Sequence, residues 1–244
     1  MSNEMAGNKG RENVRKVELP DEYPPEEGCY LRGNDFSPVA VVVILNRRRE
    51  ETPPDIEKLT RTAIESGAAL AGTLQTENIG IEKIICNLVA NPNIRYIVLC
   101  GPESQGHLTG ESLLAVVENG VDSKRRIVGS NAPTPYLFNI SSESVERFRK
   151  QITIIDLLNR GTPELVREAV YLCYQESPAS FEGYTLYDTG AYAGLPIVHK
   201  ITWRVTHPQR EPKDDEEREQ VEKLKERMAW IKARMEEKRR KNHD

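Results

Sequence analysis

Val39-Ala-Val-Val-Val-Ile-Leu45 offers no polar side chain to either side of a strand. Side chains of a strand alternate between faces, so this run needs apolar cover on both. A strand buried on both sides belongs in a sheet with helices above and below, and such sheets are built from parallel strands joined through helical crossovers. Ile94-Arg-Tyr-Ile-Val-Leu-Cys100 reads as a second buried strand and Ile152-Thr-Ile-Ile-Asp156 as another, with Arg126-Ile-Val-Gly129 a short strand candidate.

Helical signals fall between these runs. After the charged turn Arg47–Glu51 and Pro53-Pro54, Asp55 is a good N-cap for a helix carrying Ile56, Leu59, Ala63 and Ile64. Ile81, Ile84, Ile85, Leu88 and Val89 share one helical face, and Asn91-Pro92 stops that helix. Thr109 can cap a further helix, with Glu111 in its first turn and Gly120 as a left-handed stop. A helix is predicted near Ser142–Lys150, and Thr162-Pro163-Glu164 opens the last core helix with a capping hydroxyl and a proline at the first position. The fold class is α/β, a mostly parallel sheet flanked by helices.

The ends of the chain differ in composition from this body. Residues 1–36 hold Pro20, Pro24 and Pro25 among polar and acidic residues, a flexible lead-in by composition. Tyr184 to Val205 mixes aromatics and β-branched residues with Gly190 and Gly194, as a hairpin or edge pair does. Residues 211–244 form a charged helical tail, where Val221, Leu224, Met228, Ile231 and Met235 alternate spacings of three and four. That is the seam of a helix-mediated oligomer or of a helix lying on its own domain. The expected division is therefore 1–36, a core domain over 37–180, a strand pair or edge extension over 181–210, and the tail over 211–244.

Charge and cysteines narrow the setting. A net charge of −4 on a chain with 30% charged residues provides no basic face to replace nucleic-acid counterions. Cys29, Cys86, Cys100 and Cys173 form no Cys-x-x-Cys pair and read as buried, reduced thiols. No apolar run approaches the ~20 residues that span a bilayer, and the start lacks a secretory pattern. A cytoplasmic protein with no direct membrane anchor is expected.

Chemistry concentrates where the second buried strand ends. Gly101-Pro-Glu-Ser-Gln-Gly-His107-Leu-Thr-Gly110 carries a histidine between glycines at a strand-to-helix turn, where open α/β sheets bind ligands. A histidine there can be a base, a metal ligand, a phosphate contact or an exposed polar side chain. Gly106 and Gly110 permit close approach of a bulky ligand, and the following helix aims unpaired N–H groups at the same crevice. Zinc fits poorly, because His199, His207 and His243 lie late in the chain and no cysteine stands at ligand spacing. A single-histidine site suits a metal whose ligand brings most of the coordination. No Gly-x-Gly-x-x-Gly, Walker or Gly-x-Ser-x-Gly pattern is present. Glu77 and Asn78 either cap the helix after them or line a ligand.

Gly72-Thr-Leu-Gln-Thr-Glu-Asn-Ile-Gly-Ile-Glu-Lys83, Asn91-Pro-Asn-Ile-Arg-Tyr96, Gly101 through Gly110, Pro135-Tyr136, and Val145-Glu-Arg-Phe-Arg-Lys-Gln151 with the strand after it stand in the order seen in a known family. Together they resemble the A subunit of tetrahydromethanopterin S-methyltransferase. The resemblance implies a Rossmann-like domain over 37–180 that holds a cobalamin-type corrinoid at the carboxyl ends of its strands. It places the lower cobalt ligand on His107 and makes Gly101, Gly106, Thr109 and Gly110 the shape of the approach. Glu77, Asn78, Pro135 and Tyr136 become pocket-lining candidates.

The implied activity is that of a methyltransferase component, with cobalt accepting a methyl group from methyl-tetrahydromethanopterin and passing it to a thiol such as coenzyme M. Catalysis at each half-reaction would need methyl-donor and methyl-acceptor partner proteins. Reduced cobalt favours four coplanar ligands, so the histidine is expected to leave and return as the methyl does. The membrane-bound family members end in a hydrophobic anchor where this sequence has the charged stretch 211–242. The alternative is a binding or regulatory module of the same fold that acts through its C-terminal helix without corrinoid.

Overall fold

In the computed structural model, residues 14–46 and 52–201 are described, together with Asp215, Arg218, Glu219, Glu222, Lys223 and Glu226. The elements in chain order are β1 Tyr30–Arg32, β2 Val39–Ile44, α1 Pro54–Glu65, β3 Leu70–Leu74, α2 Ile79–Val89, β4 Tyr96–Gly101, α3 Thr109–Asn119, α4 Ser142–Gln151, β5 Thr153–Leu158, α5 Pro163–Cys173, β6 Ala179–Phe181 and β7 Tyr184–Leu186.

The alternation along the strands sorts the core into two layers. Val39, Val41, Val43, Tyr96, Val98 and Cys100 face one side, where they pack on Ile56, Leu59 and Ala63 of α1 and on Val166, Ala169 and Val170 of α5. Ala40, Val42, Ile44, Ile97 and Leu99 face the other, against Ile81 and Ile85 of α2, Leu113 and Val116 of α3, and Val145 and Phe148 of α4. Each fully buried Val, Leu or Ile side chain contributes about 1.5–3 kcal/mol. Two-sided cover is what the apolar strand runs require, and the fold is the expected Rossmann-like α/β arrangement.

The main sheet has the order β1-β3-β2-β4-β5, with β3, β2, β4 and β5 parallel and β1 antiparallel to β3. The crossover through α1 carries the chain from β2 to β3, and the one through α2 carries it back past β2 to β4. With crossovers of one hand, that reversal puts α1 and α2 on opposite faces.

Two strands escape the periodicity argument. β3 is Leu-Ala-Gly-Thr-Leu, and its small residues let β1 approach closely, so that a Cβ on Gly72 would lie 2.6 Å from the Cβ of Tyr30. Residues 14–36 supply β1 and the buried Tyr23, and Val17 exchanges backbone hydrogen bonds with the side chain of Asn93. The proline-rich composition of this segment did not foretell that packing.

Helix starts also differ from expectation. Pro53 rather than Asp55 is the N-cap of α1, because Pro54 takes the first helical position and moves Asp55 into the first turn. Thr162 caps α5 as expected, its hydroxyl accepting from Leu165 N at 3.2 Å. Residues 126–129 form no strand, only isolated bridges of Val121 with Ile127 and of Arg126 with Tyr136. The late hairpin is β6–β7, earlier than Tyr184–Val205, and the chain from 187 to 201 is irregular. Cys86, Cys100 and Cys173 are buried and free, but Cys29 is exposed.

Thr202–Asp244 forms a second unit, and its described positions from Asp215 to Glu226 are helical and exposed. The seam residues Val221, Leu224, Met228, Ile231 and Met235, like His207 and His243, lie outside the described residues. Among the described residues, no helix is long and apolar enough to cross a membrane.

Candidate functional site

The loop after β2 leads to α1 on one face of the sheet and the loop after the neighbouring β4 leads to α3 on the other, and that divergence at the carboxyl ends is where open α/β sheets leave a crevice. The loop after β3 carries Glu77, and the loop after β4 carries His107. The two side chains meet across thirty positions of sequence, with His107 Nδ1 2.9 Å from Glu77 Oε2. Glu77 is 1% exposed and His107 is 54% exposed, so an inner carboxylate holds an outer imidazole.

The other oxygen of Glu77 is held as firmly. Oε1 accepts from Thr134 N at 3.1 Å and from Thr134 Oγ1 at 2.7 Å. Burial pushes the Glu77 carboxyl up, but hydrogen bonds from Thr134 Oγ1, its own backbone N–H, Thr134 N–H and His107 outweigh it. The net direction is below the ordinary value of 4.5. An ionised carboxylate can only accept, so His107 Nδ1 donates, which in the neutral imidazole leaves the lone pair on Nε2.

The backbone around His107 is set by a device that sequence reasoning missed. Helix α3 starts at Thr109, but its N-cap is Leu108 in a left-handed conformation with φ 46°, which has no side-chain acceptor. Glu103 replaces the missing cap. Its Oε1 accepts from Ser104 N at 2.7 Å and Gly110 N at 3.1 Å, and its Oε2 accepts from Glu111 N at 2.8 Å. The N–H groups expected to face a ligand are therefore partly taken by this carboxylate. Thr109 is not the cap, and its buried Oγ1 has no partner among the described residues.

The glycines divide by cause. Gly101 ends β4 at φ +93°, a backbone conformation other residues rarely adopt, and lies against the backbone of Ile44. At Gly110 a Cβ would come within 2.5 Å of Leu158 Cδ1 and 2.8 Å of Glu103 Oε2, so its identity answers to the fold. Gly106 alone of the three faces open space, with nothing within 4 Å of a Cβ there.

Asn78 caps α2 by accepting from Ile79 N at 2.7 Å, and its amide nitrogen lies 3.3 Å from both Thr134 O and Thr134 Oγ1. Pro135 is buried, with its carbonyl accepting from Ile127 N at 2.8 Å. Tyr136 is half-buried and stacks on the exposed Phe138 ring at 5.1 Å. His199 stands apart from His107, near the carbonyl of Asn139.

An open cavity of about 510 Å³ adjoins the histidine and is lined by Asn46, Pro102, Glu103, Gly106, His107 and Asn159. A second, of about 330 Å³, shares Pro102 and Asn159 with it and reaches Gly101, Leu59, Lys58 and Arg160. Among the described residues, no group of three or more His, Cys, Asp or Glu could hold a metal ion. The arrangement can instead offer one oriented nitrogen to a metal already coordinated by its own ligand.

Fold and site together define a Rossmann-like domain with one carboxylate-paired histidine at the switch point. Residues 16–187 match the family profile of the tetrahydromethanopterin S-methyltransferase A subunit. The chain is 41% identical over 170 residues to the A 1 form of that component from Methanothermobacter thermautotrophicus, covering 69% of this chain and 67% of the relative. The A 2 form of the same organism is 35% identical over 189 residues, covering 77% and 91%. The A 2 form of Methanobrevibacter ruminantium is 38% identical over 168 residues, covering 68% and 81%. The chain belongs to the A-subunit family of tetrahydromethanopterin S-methyltransferase.

Proposed function

We propose that this chain is a corrinoid-binding methyl carrier in which His107 is the lower cobalt ligand and residues 37–180 hold the cofactor. The observation that carries the reading is the 2.9 Å contact between buried Glu77 and exposed His107. Metal-binding histidines commonly donate their other ring N–H to a carboxylate, which fixes the tautomer and makes the free nitrogen a better donor. The donor set also fits, because a corrinoid would bring most of the ligands of its metal and would ask the protein for one more, which His107 could supply.

When bound, a corrinoid supplies a cobalt centre able to accept a methyl group and pass it to a thiol such as coenzyme M. The protein's part is to bind and orient. Thr134 fixes the Glu77 carboxylate, Glu77 holds the Nδ1 proton, and Nε2 of His107 is left free to coordinate. Gly106 leaves space beside the imidazole, and Gly101, Thr109 and Gly110 shape the loop behind it. Asn78, Pro135 and Tyr136 form the flank reached through Thr134. Separate methyl-donor and methyl-acceptor proteins serve the two half-reactions, in keeping with relatives that are named as one component of a larger enzyme. We place this work in the cytoplasm.

Mixing the protein with hydroxocobalamin and recording its visible spectrum tests the reading. The wild type is expected to shift the cobalt bands as imidazole coordinates, and His107→Ala is expected to leave them unshifted. A wild type that binds no corrinoid overturns the carrier, and equal shifts in both proteins overturn His107 as ligand.

A further inference from the structure

We propose that Glu103 is a positioning residue that sets where His107 stands. The inference rests on the reading of His107 as a cobalt ligand and adds a residue that is hydrogen-bonded to neither the imidazole nor Glu77. Packing does not fix this histidine, because its side chain is more than half exposed. Its place depends on Glu77 and on the loop backbone.

Glu103 closes that loop. Ser104 N, Gly110 N and Glu111 N donate to its carboxylate and so join the start of the loop to the first turn of α3, and His107 lies between them. Within the closed ring, Ser104 O accepts from His107 N at 3.1 Å and from Leu108 N at 2.6 Å. The clamp is itself anchored to the sheet: Glu103 N donates to Asn159 Oδ1 at 3.0 Å, and Asn159 N donates to Gly101 O at 2.8 Å. Position 110 must be glycine for the carboxylate to reach, since a Cβ there would stand 2.8 Å from Glu103 Oε2.

The contrast with other helices shows that this is more than an ordinary cap. Asn78, Ser141 and Thr162 cap α2, α4 and α5 from the N-cap position itself. Glu103 acts from five residues before the N-cap of α3, and the residues it encloses are those that carry the histidine. Removing it frees the loop as well as the helix end.

Glu103→Gln keeps the length and one acceptor but turns an amide N–H₂ toward a backbone donor. In the full-length protein, hydroxocobalamin is titrated while bound corrinoid and the imidazole signature in the visible spectrum are read separately. Hydrogen exchange is followed at Gly110 and Glu111. Imidazole ligation is expected to weaken about tenfold, the lower end of what loss of an outer partner costs a metal site, and both amides are expected to exchange faster. Ser141→Ala, which removes the α4 cap, is the control for a merely structural effect and is expected to leave ligation unchanged.

Wild-type ligation by Glu103→Gln overturns the proposal, as does an equal loss in Ser141→Ala. If the wild type itself shows no imidazole signature, the carrier reading fails. The clamp is then judged by exchange alone, and unchanged protection of Gly110 and Glu111 in Glu103→Gln overturns it.

Discussion

Glu77, just before α2, and Glu82, within it, are both buried, and each holds the irregular stretch between α3 and α4, yet their environments drive them in opposite directions. Glu82 accepts from Asn139 N at 2.7 Å and Asn139 Nδ2 at 2.8 Å. It is fully buried, and burial pushes its carboxyl above the ordinary value despite those bonds and nearby Arg125. Glu77 receives two donors more, His107 and its own backbone N–H, and lies below the ordinary value. The same carboxylate-on-loop device thus serves as an internal clamp at Glu82 and, just before the start of the helix, as the support of an exposed imidazole at Glu77. What separates them is the exposed imidazole that Glu77 also holds.

The contrast breaks most visibly on removal of the clamp. Glu82→Ala leaves the Asn139 N–H and amide without an acceptor, at about 1–3 kcal/mol for each donor that water does not reach. A loss of about 2–3 kcal/mol in urea unfolding is expected, with imidazole ligation of added corrinoid unchanged in the folded fraction. Loss of ligation with intact stability would reverse the roles of the two glutamates.

Glu77→Gln should do the converse. Thr134 and His107 are exposed enough to turn to water, so little stability is lost, while ligation by His107 is expected to weaken about 10–100-fold. A corrinoid titration read at the imidazole-dependent bands checks this.

The smallest effect is in the pH dependence of stability without cofactor. Glu77 lies below its unfolded value, so it stabilises the wild type over Glu77→Gln above pH 4.5, and that advantage is lost as pH falls through its folded value. Glu82 lies above, so the wild type is most favoured over Glu82→Gln below pH 4.5 and loses ground as pH rises through its folded value. The two difference curves from chemical denaturation are expected to slope in opposite directions. Parallel slopes would contradict the distinction.

The sequence makes half of this comparison legible. β2 and β4 declare themselves because strands buried on both faces are almost wholly apolar, β5 because its Ile and Leu run stands out despite Thr153 and Asp156, and α2 because its apolar spacing is regular. β3 hides because close approach of β1 demands alanine and glycine, which carry little strand signal. His107 and Glu77 are each visible as candidates, for they flank helix starts. Their pairing is not, because it exists only once β2 is inserted between the strands that carry them. Glu103 leaves even less trace: a cap supplied from five residues upstream, around a left-handed Leu108, follows no local spacing rule.

One bond, from His107 Nε2 to a corrinoid cobalt, carries the proposed function, and electron paramagnetic resonance reads that bond directly. The protein is prepared with histidine carrying the heavy nitrogen isotope, loaded with cobalamin, and reduced to the +2 state of cobalt, whose unpaired electron couples to an axial nitrogen. The splitting is expected to change with the isotope in the wild type and to lose that dependence in His107→Ala. A splitting indifferent to the label in the wild type would show that histidine is not the axial ligand and contradict the carrier reading at its centre.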